Sequence, residues 1–102
     1  MNKLVRDKIP DKISSKWEQC EFYIADRVEH INRIIDKLFE ESTEIQNVEN
    51  DNNMKKEIWD LLDVIEWLCE LKWFNVDEIN KLRNIKSKKL WKFKKWIILT
   101  KS

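Results

Sequence analysis

Residues Leu38 to Asp63 read LFEESTEIQNVENDNNMKKEIWDLLD, and they hold two carboxylate clusters, Glu40-Glu41-x-x-Glu44 and Glu57-x-x-Asp60, twelve residues apart. Around the first cluster Ile31, Ile34, Ile35, Leu38 and Ile45 recur at helical spacing, and around the second Ile58, Leu61, Leu62, Ile65 and Leu68 do the same. Each segment therefore predicts an amphipathic helix. Between them Asn47 to Asn53 is polar and turn-prone, the composition of a helix–helix connection. The stretch predicts an antiparallel helical hairpin.

The register carries the chemistry. Residues 44 and 57 stand at equal distances from the middle of the turn, and so do 41 and 60. In antiparallel helices equal distance from the turn means roughly equal height. Glu41 and Glu44 share one face of the first helix, and Glu57 and Asp60 share one face of the second, because residues three apart are neighbours on a helix surface. Glu41 also falls on the apolar stripe, three residues after Leu38, where a structural helix would carry an aliphatic side chain. A solvated acidic face explains any one of these residues. It does not explain four in matched register. Carboxylates gathered this way repel and are costly to desolvate. A hard divalent cation such as Mg²⁺ relieves that cost, since it takes oxygen ligands and keeps waters that a phosphate can replace.

These residues resemble the all-α nucleotide pyrophosphohydrolases, the MazG-like and phosphoribosyl-ATP pyrophosphohydrolase-like group. The opening Asn2-Lys3-Leu4-Val5-Arg6-Asp7-Lys8-Ile9-Pro10 is similar to that of a small single-domain branch of the group. The resemblance spans nearly the whole chain. It implies Mg²⁺-dependent hydrolysis, with Mn²⁺ as a substitute, of a nucleoside triphosphate or related nucleotide to the monophosphate and pyrophosphate. It assigns Glu41, Glu44, Glu57 and Asp60 to the metal and places Glu40 and Glu41 at the catalytic water. Lys3, Arg6 and Lys8 become candidate phosphate contacts, Arg for a bidentate grip and Lys as a point charge.

At 102 residues the chain suits one domain, 1–102. Hydrophobic residues at 42% beside 38% charged residues describe a globular chain rather than a disordered or membrane-spanning one. No apolar run approaches a membrane span, and none follows a basic N-terminus as in a secretion signal. Cys20 and Cys69 are too few and too far apart for a disulfide framework and fit reduced thiols in the cytoplasm. Glycine is absent, so turns and helix ends are expected to rely on Asn and Asp.

The flanks complete the expected fold. Residues 20–25, CEFYIA, alternate like a short strand. Asp26, with Glu29 three residues later, is the signature of a capping box opening the first long helix. The second helix is expected from about Asn53 to Trp73. With Trp59, Trp67 and Trp73 spread around it, that helix is apolar on more than one face. An isologous homodimer, joining two hairpins into a four-helix core, would cover it. Asp77 is the expected cap of a third helix. Residues 93–99 are β-prone and are expected to pair with 20–25 in a small two-stranded sheet.

Charge divides the chain. Residues 1–78 hold nineteen acids and eleven bases, whereas residues 79–102 hold nine bases and no acid. Within this basic portion Leu90-Trp91-Lys92-Phe93 stands where the resembling branch carries Arg-Gly-Gly-Phe, a change of charge and flexibility beside the implied nucleotide pocket. Lys86 and Lys89 precede it as further phosphate candidates. Two alternatives to the enzyme accompany this reading. One is a nucleotide binder that sequesters without turnover. The other is a nucleic-acid-binding module using the basic aromatic tail, disfavoured because such tails commonly line a phosphate site or pack a terminus.

Overall fold

The structure, a computed structural model, describes residues 2–102 and is mainly helical. Its helices are α1 (Ile9–Ser15), α2 (Arg27–Asn47), α3 (Asp51–Lys72) and α4 (Val76–Leu90). The chain expected as one domain divides into two compact units, one ending at Lys72 and the other covering Trp73–Ser102. The hairpin is formed as the periodicity predicts. α2 packs along α3, and the connection shrinks to Val48–Asn50. Helix propagation consumes most of the expected turn because Asn50 caps α3: its side-chain oxygen accepts from the Asn53 N–H at 2.8 Å.

Asp26 caps α2 as its sequence signature predicts, accepting from the Glu29 N–H at 2.9 Å. The Glu29 carboxylate does not turn back to complete the box. It receives the Tyr23 hydroxyl and the Arg33 guanidinium instead. α4 starts at Val76, earlier than expected, because Asn75 rather than Asp77 is its cap and accepts from the Asp77 and Glu78 N–H groups. Residues 20–25 and 93–99 are irregular, so the expected sheet is not formed among the described residues. Alternation supplies a strand's side-chain pattern but not the partner its backbone requires.

In a chain without glycine, the left-handed backbone positions fall to tryptophan: Trp17, Trp73, Trp91 and Trp96 have φ between 56° and 68°. Trp73 directly follows α3, and Trp91 is the C-cap of α4, the places where glycine usually ends a helix. Asparagine instead serves the N-caps of α3 and α4.

The core of the hairpin is narrow. Ile34, Val64 and Cys69 are its buried apolar side chains, and Glu41 is buried beside them. α3 turns Glu57, Leu61, Val64 and Leu68 toward α2, whereas Ile58, Leu62 and Ile65, expected on the same stripe, stand outside the seam. At about 100° per residue, Val28, Ile35 and Phe39 of α2 and Met54, Ile58, Leu62 and Ile65 of α3 deviate from the seam in the same rotational sense. In an antiparallel pair that places them on one face of the hairpin. Exposures from 38% at Met54 to 72% at Phe39 leave this face uncovered. Glu40, Glu44, Asp60 and Asp63 rotate the other way, so the acidic groups open on the opposite face.

Trp17 tests the backbone assignment. It is 96% exposed with φ 62°, so its side chain has little packing to lose. Trp17→Gly is expected to raise the unfolding free energy in urea by about 0.5–1 kcal/mol, relief of left-handed strain less the added freedom of the unfolded chain.

Candidate metal centre

Glu41 projects into the seam because it continues the stripe of Ile34, two turns earlier on α2, and it retains only 6% of its exposure. Across the seam α3 presents Glu57 and Asp60. One carboxylate oxygen from each of Glu41, Glu57 and Asp60 lies within 4.8 Å of the others, and Glu40, Glu41 and Glu44 form a second such group. Glu41 belongs to both. Glu41 and Asp60, at equal distances from the turn, therefore meet through their side chains.

The cluster lacks hydrogen-bond donors. Oε2 of Glu41 and Oε2 of Glu57 are buried without a partner. A buried anionic oxygen in that condition is among the costliest arrangements a protein can hold. Burial, first, and then the facing Glu57 carboxyl push the Glu41 carboxyl up from its ordinary value of 4.5 to about 7. Glu44 is also raised, by Glu57 and then by burial. As carboxylates Glu41 and Glu57 share no hydrogen bond. Protonating one of them would create it.

The rim carries the compensating charge. Lys37 lies 3.4 Å from Oε2 of Glu40, which remains partly open to solvent. Arg6 reaches back from the N-terminal segment, donating from Nη2 to Oδ1 of Asp60 at 3.0 Å and to Oδ2 of Asp63 at 2.8 Å. Asp63 and then Asp60 raise the guanidinium's pKa further. Arg33 donates to the Asn2 carbonyl at 3.4 Å and so holds the start of the same segment.

Of the residues expected at the site, Glu40, Glu41, Glu44, Glu57 and Asp60 are brought together, and Arg6 joins them. Lys3 and Lys8 are exposed and form no ion pair among the described residues; Lys8 precedes α1 as its N-cap. Lys86 and Lys89 lie on α4, in the unit that does not contain the carboxylates. Lys86 lines a shallow pocket of about 500 Å³ with Arg83, Trp91, Lys92 and Phe93. Asp63 was not among the expected site residues. Its signal was available, since it follows Asp60 by three residues on the same face of α3.

The donor set fits a hard divalent ion. It is made of carboxylate oxygens only, converges from two helices, and includes two buried oxygens for which the protein offers no hydrogen. No protein-family model, curated protein or solved structure matches the chain.

The raised Glu41 value fixes a pH dependence. A carboxyl whose folded value exceeds its unfolded one binds a proton that the unfolded chain releases, so stability falls as pH climbs from 4.5 to about 7. At ~1.4 kcal/mol per unit the loss is on the order of 3 kcal/mol. In chelator the protein should melt lower at pH 8 than at pH 5. Glu41→Gln should flatten that difference, and millimolar Mg²⁺ at pH 8 should restore the parent. Equal melting of parent and variant at both pH values would contradict the assignment.

Proposed function

We propose that this chain is a divalent-metal-dependent nucleotide pyrophosphohydrolase of the MazG-like kind, cleaving a nucleoside triphosphate or related nucleotide to the monophosphate and pyrophosphate. One observation carries the reading: the paired, donorless Oε2 atoms of Glu41 and Glu57 inside a cluster of five carboxylates. A structural seam would fill those positions with aliphatic side chains. Arg6 beside Asp60 adds a phosphate-seeking group on the same face.

Glu41, Glu44, Glu57 and Asp60 would hold Mg²⁺ or Mn²⁺. When bound, the ion neutralises phosphate charge and acidifies a water. Glu40, partly solvated at the rim, would accept a hydrogen bond from the attacking water and take its proton. Glu41, common to both carboxylate groups, would help to orient that water. Water adds to the α-phosphorus, the bond to the bridging oxygen of the β-phosphate breaks, and pyrophosphate leaves with the bond's electron pair. Arg6 can receive charge on the departing phosphates. The free thiols of Cys20 and Cys69 suit the reducing cytoplasm assigned to it, and no helix among the described residues is long and apolar enough to cross a membrane.

Asp60→Asn and Glu57→Gln should each reduce Mg²⁺-dependent release of pyrophosphate by about a hundredfold or more, in keeping with losing a ligand of a metal-dependent centre. Helix content should not change. Hydrolysis at the parental rate in the double variant would refute the reading. Steeply salt-dependent binding of single-stranded nucleic acid, indifferent to Glu41 and lost on neutralising Lys92, Lys94 and Lys95, would favour the tail as the functional surface.

The same reading includes a homodimer. The uncovered face of Val28, Ile35, Phe39, Met54, Ile58, Leu62 and Ile65 is what a second hairpin would bury, and the acidic groups on the opposite face stay free. Sedimentation at micromolar concentration should show a species of twice the 12.6 kDa chain mass, converted to the monomer by Ile58→Asp with Leu62→Asp. A compact parental monomer would exclude it.

A further inference from the structure

Arg6 makes both of its ion pairs through a single nitrogen, Nη2. Its Nη1 and Nε hydrogens have no partner among the described residues, so most of the guanidinium's five donors remain unspent. The two aspartates differ in kind. Asp60 belongs to the carboxylate group that can hold an ion, and its side chain is 26% exposed. Asp63 belongs to neither group, is 51% exposed, and makes the shorter bond, 2.8 Å against 3.0 Å. Asp63 therefore has no other evident use for its charge.

Building on the hydrolase reading, we propose that Asp63 is a positioning residue that tethers Arg6 at the rim of the carboxylate cluster. Without metal, the guanidinium serves Asp60 as a substitute cation. Once Asp60 engages a divalent ion, Arg6 stays on Asp63 and its free Nη1 and Nε hydrogens face the nucleotide's phosphates. The tether removes the need to order a long flexible side chain when the phosphate arrives. It also keeps a counter-charge on the cluster while the metal is away.

Plain electrostatics predicts the opposite sign for Asp63. An aspartate near a phosphate site repels the anion, so removing its charge should tighten phosphate binding. If Asp63 acts through Arg6, removing it weakens binding, and only while Arg6 is present. A double-mutant cycle separates the two.

The experiment uses the full chain, its Arg6→Ala, Arg6→Lys and Asp63→Asn variants, and the Arg6→Ala/Asp63→Asn pair. Calorimetry measures Mn²⁺ binding without nucleotide, then inorganic tripolyphosphate binding in saturating Mg²⁺. Arg6→Ala should bind Mn²⁺ about two- to fivefold more tightly, because a competing surface cation has gone. It should bind tripolyphosphate about ten- to a hundredfold more weakly, the worth of a charge-assisted contact. Asp63→Asn should weaken tripolyphosphate several-fold alone and not at all in the Arg6→Ala background. Arg6→Lys should recover the parental melting temperature in chelator but not the tripolyphosphate affinity, since an ammonium on Asp63 cannot present the same planar fork. Tighter tripolyphosphate binding by Asp63→Asn alone, additive losses in the pair, or unchanged Mn²⁺ affinity in Arg6→Ala would overturn the tether and leave the hydrolase intact. A parental protein that binds no Mn²⁺ would sink both.

Discussion

The structure is organised around two carboxyl groups that meet across a helix seam and that, when both are ionised, have no hydrogen to share. Glu41 and Glu57 each bury an oxygen that nothing in the protein satisfies. The nearby architecture makes the arrangement survivable. The three-residue connection and the Asn50 cap hold the helix ends together, fixing the height at which the carboxylates meet. Farther from the turn Ile34, Val64 and Cys69 supply the apolar contact the cluster cannot. The acidic stretch lies between a rigid turn and a small core, a position in which like charges can be held close without prising the helices apart.

The hairpin also separates its tasks by face. Val28, Ile35, Phe39, Met54, Ile58, Leu62 and Ile65 rotate one way from the seam and the clustered acidic groups the other, with Arg6, the N-terminal segment and Trp67 on the acidic side. Because both helices deviate in the same sense, the clustered carboxylates gather on one surface instead of being split between the two. On the proposed reading, one face buries against another hairpin and the other admits a water-carrying ion and an anionic ligand. Three buried apolar side chains among the described residues make a meagre core for a chain of this size, and the uncovered face is where further burial is to be had.

How much of this the sequence announced depends on the range of the interaction. The hairpin and the meeting of Glu41, Glu57 and Asp60 were legible because helix period and distance from a turn are local quantities. The caps at Asp26 and Asn50 follow local chemistry too, although Asp77 misled because Asn75, two residues earlier, is the better-placed acceptor. The seam of α3 was harder to read. Ile58, Leu62 and Ile65 are as apolar as Leu61 and Leu68, and composition alone does not say which stripe meets α2. The pairing of Arg6 with Asp63 spans 57 residues and has no periodic signature. The irregular course of residues 20–25 was likewise hidden, since alternation cannot reveal a missing partner strand. Tryptophan in left-handed positions was not foreseeable, because the absence of glycine pointed to Asn and Asp, the residues that propensity favours there.

Charge finally constrains the order of events on the hydrolase reading. The portion of the chain carrying the cluster, residues 1–78, has a net charge of −8. Within the cluster itself Arg6 and Lys37 are the cations in direct contact with the carboxylates. A triphosphate approaching that face without metal meets more negative charge than two surface ion pairs can offset, and the low polarity around Glu41 makes the repulsion stronger than in water. The nucleotide therefore cannot be the first ligand on the cluster. A divalent ion must either precede it or arrive already bound to its phosphates. Protons compete for the same oxygens, because Glu41 titrates at about 7 and must give up its proton to ligate. Acidification thus opposes substrate binding through the metal ligands, while the Arg6 charge persists across the whole range. A site built this way ties its affinity for phosphate to the deprotonation of one buried glutamate.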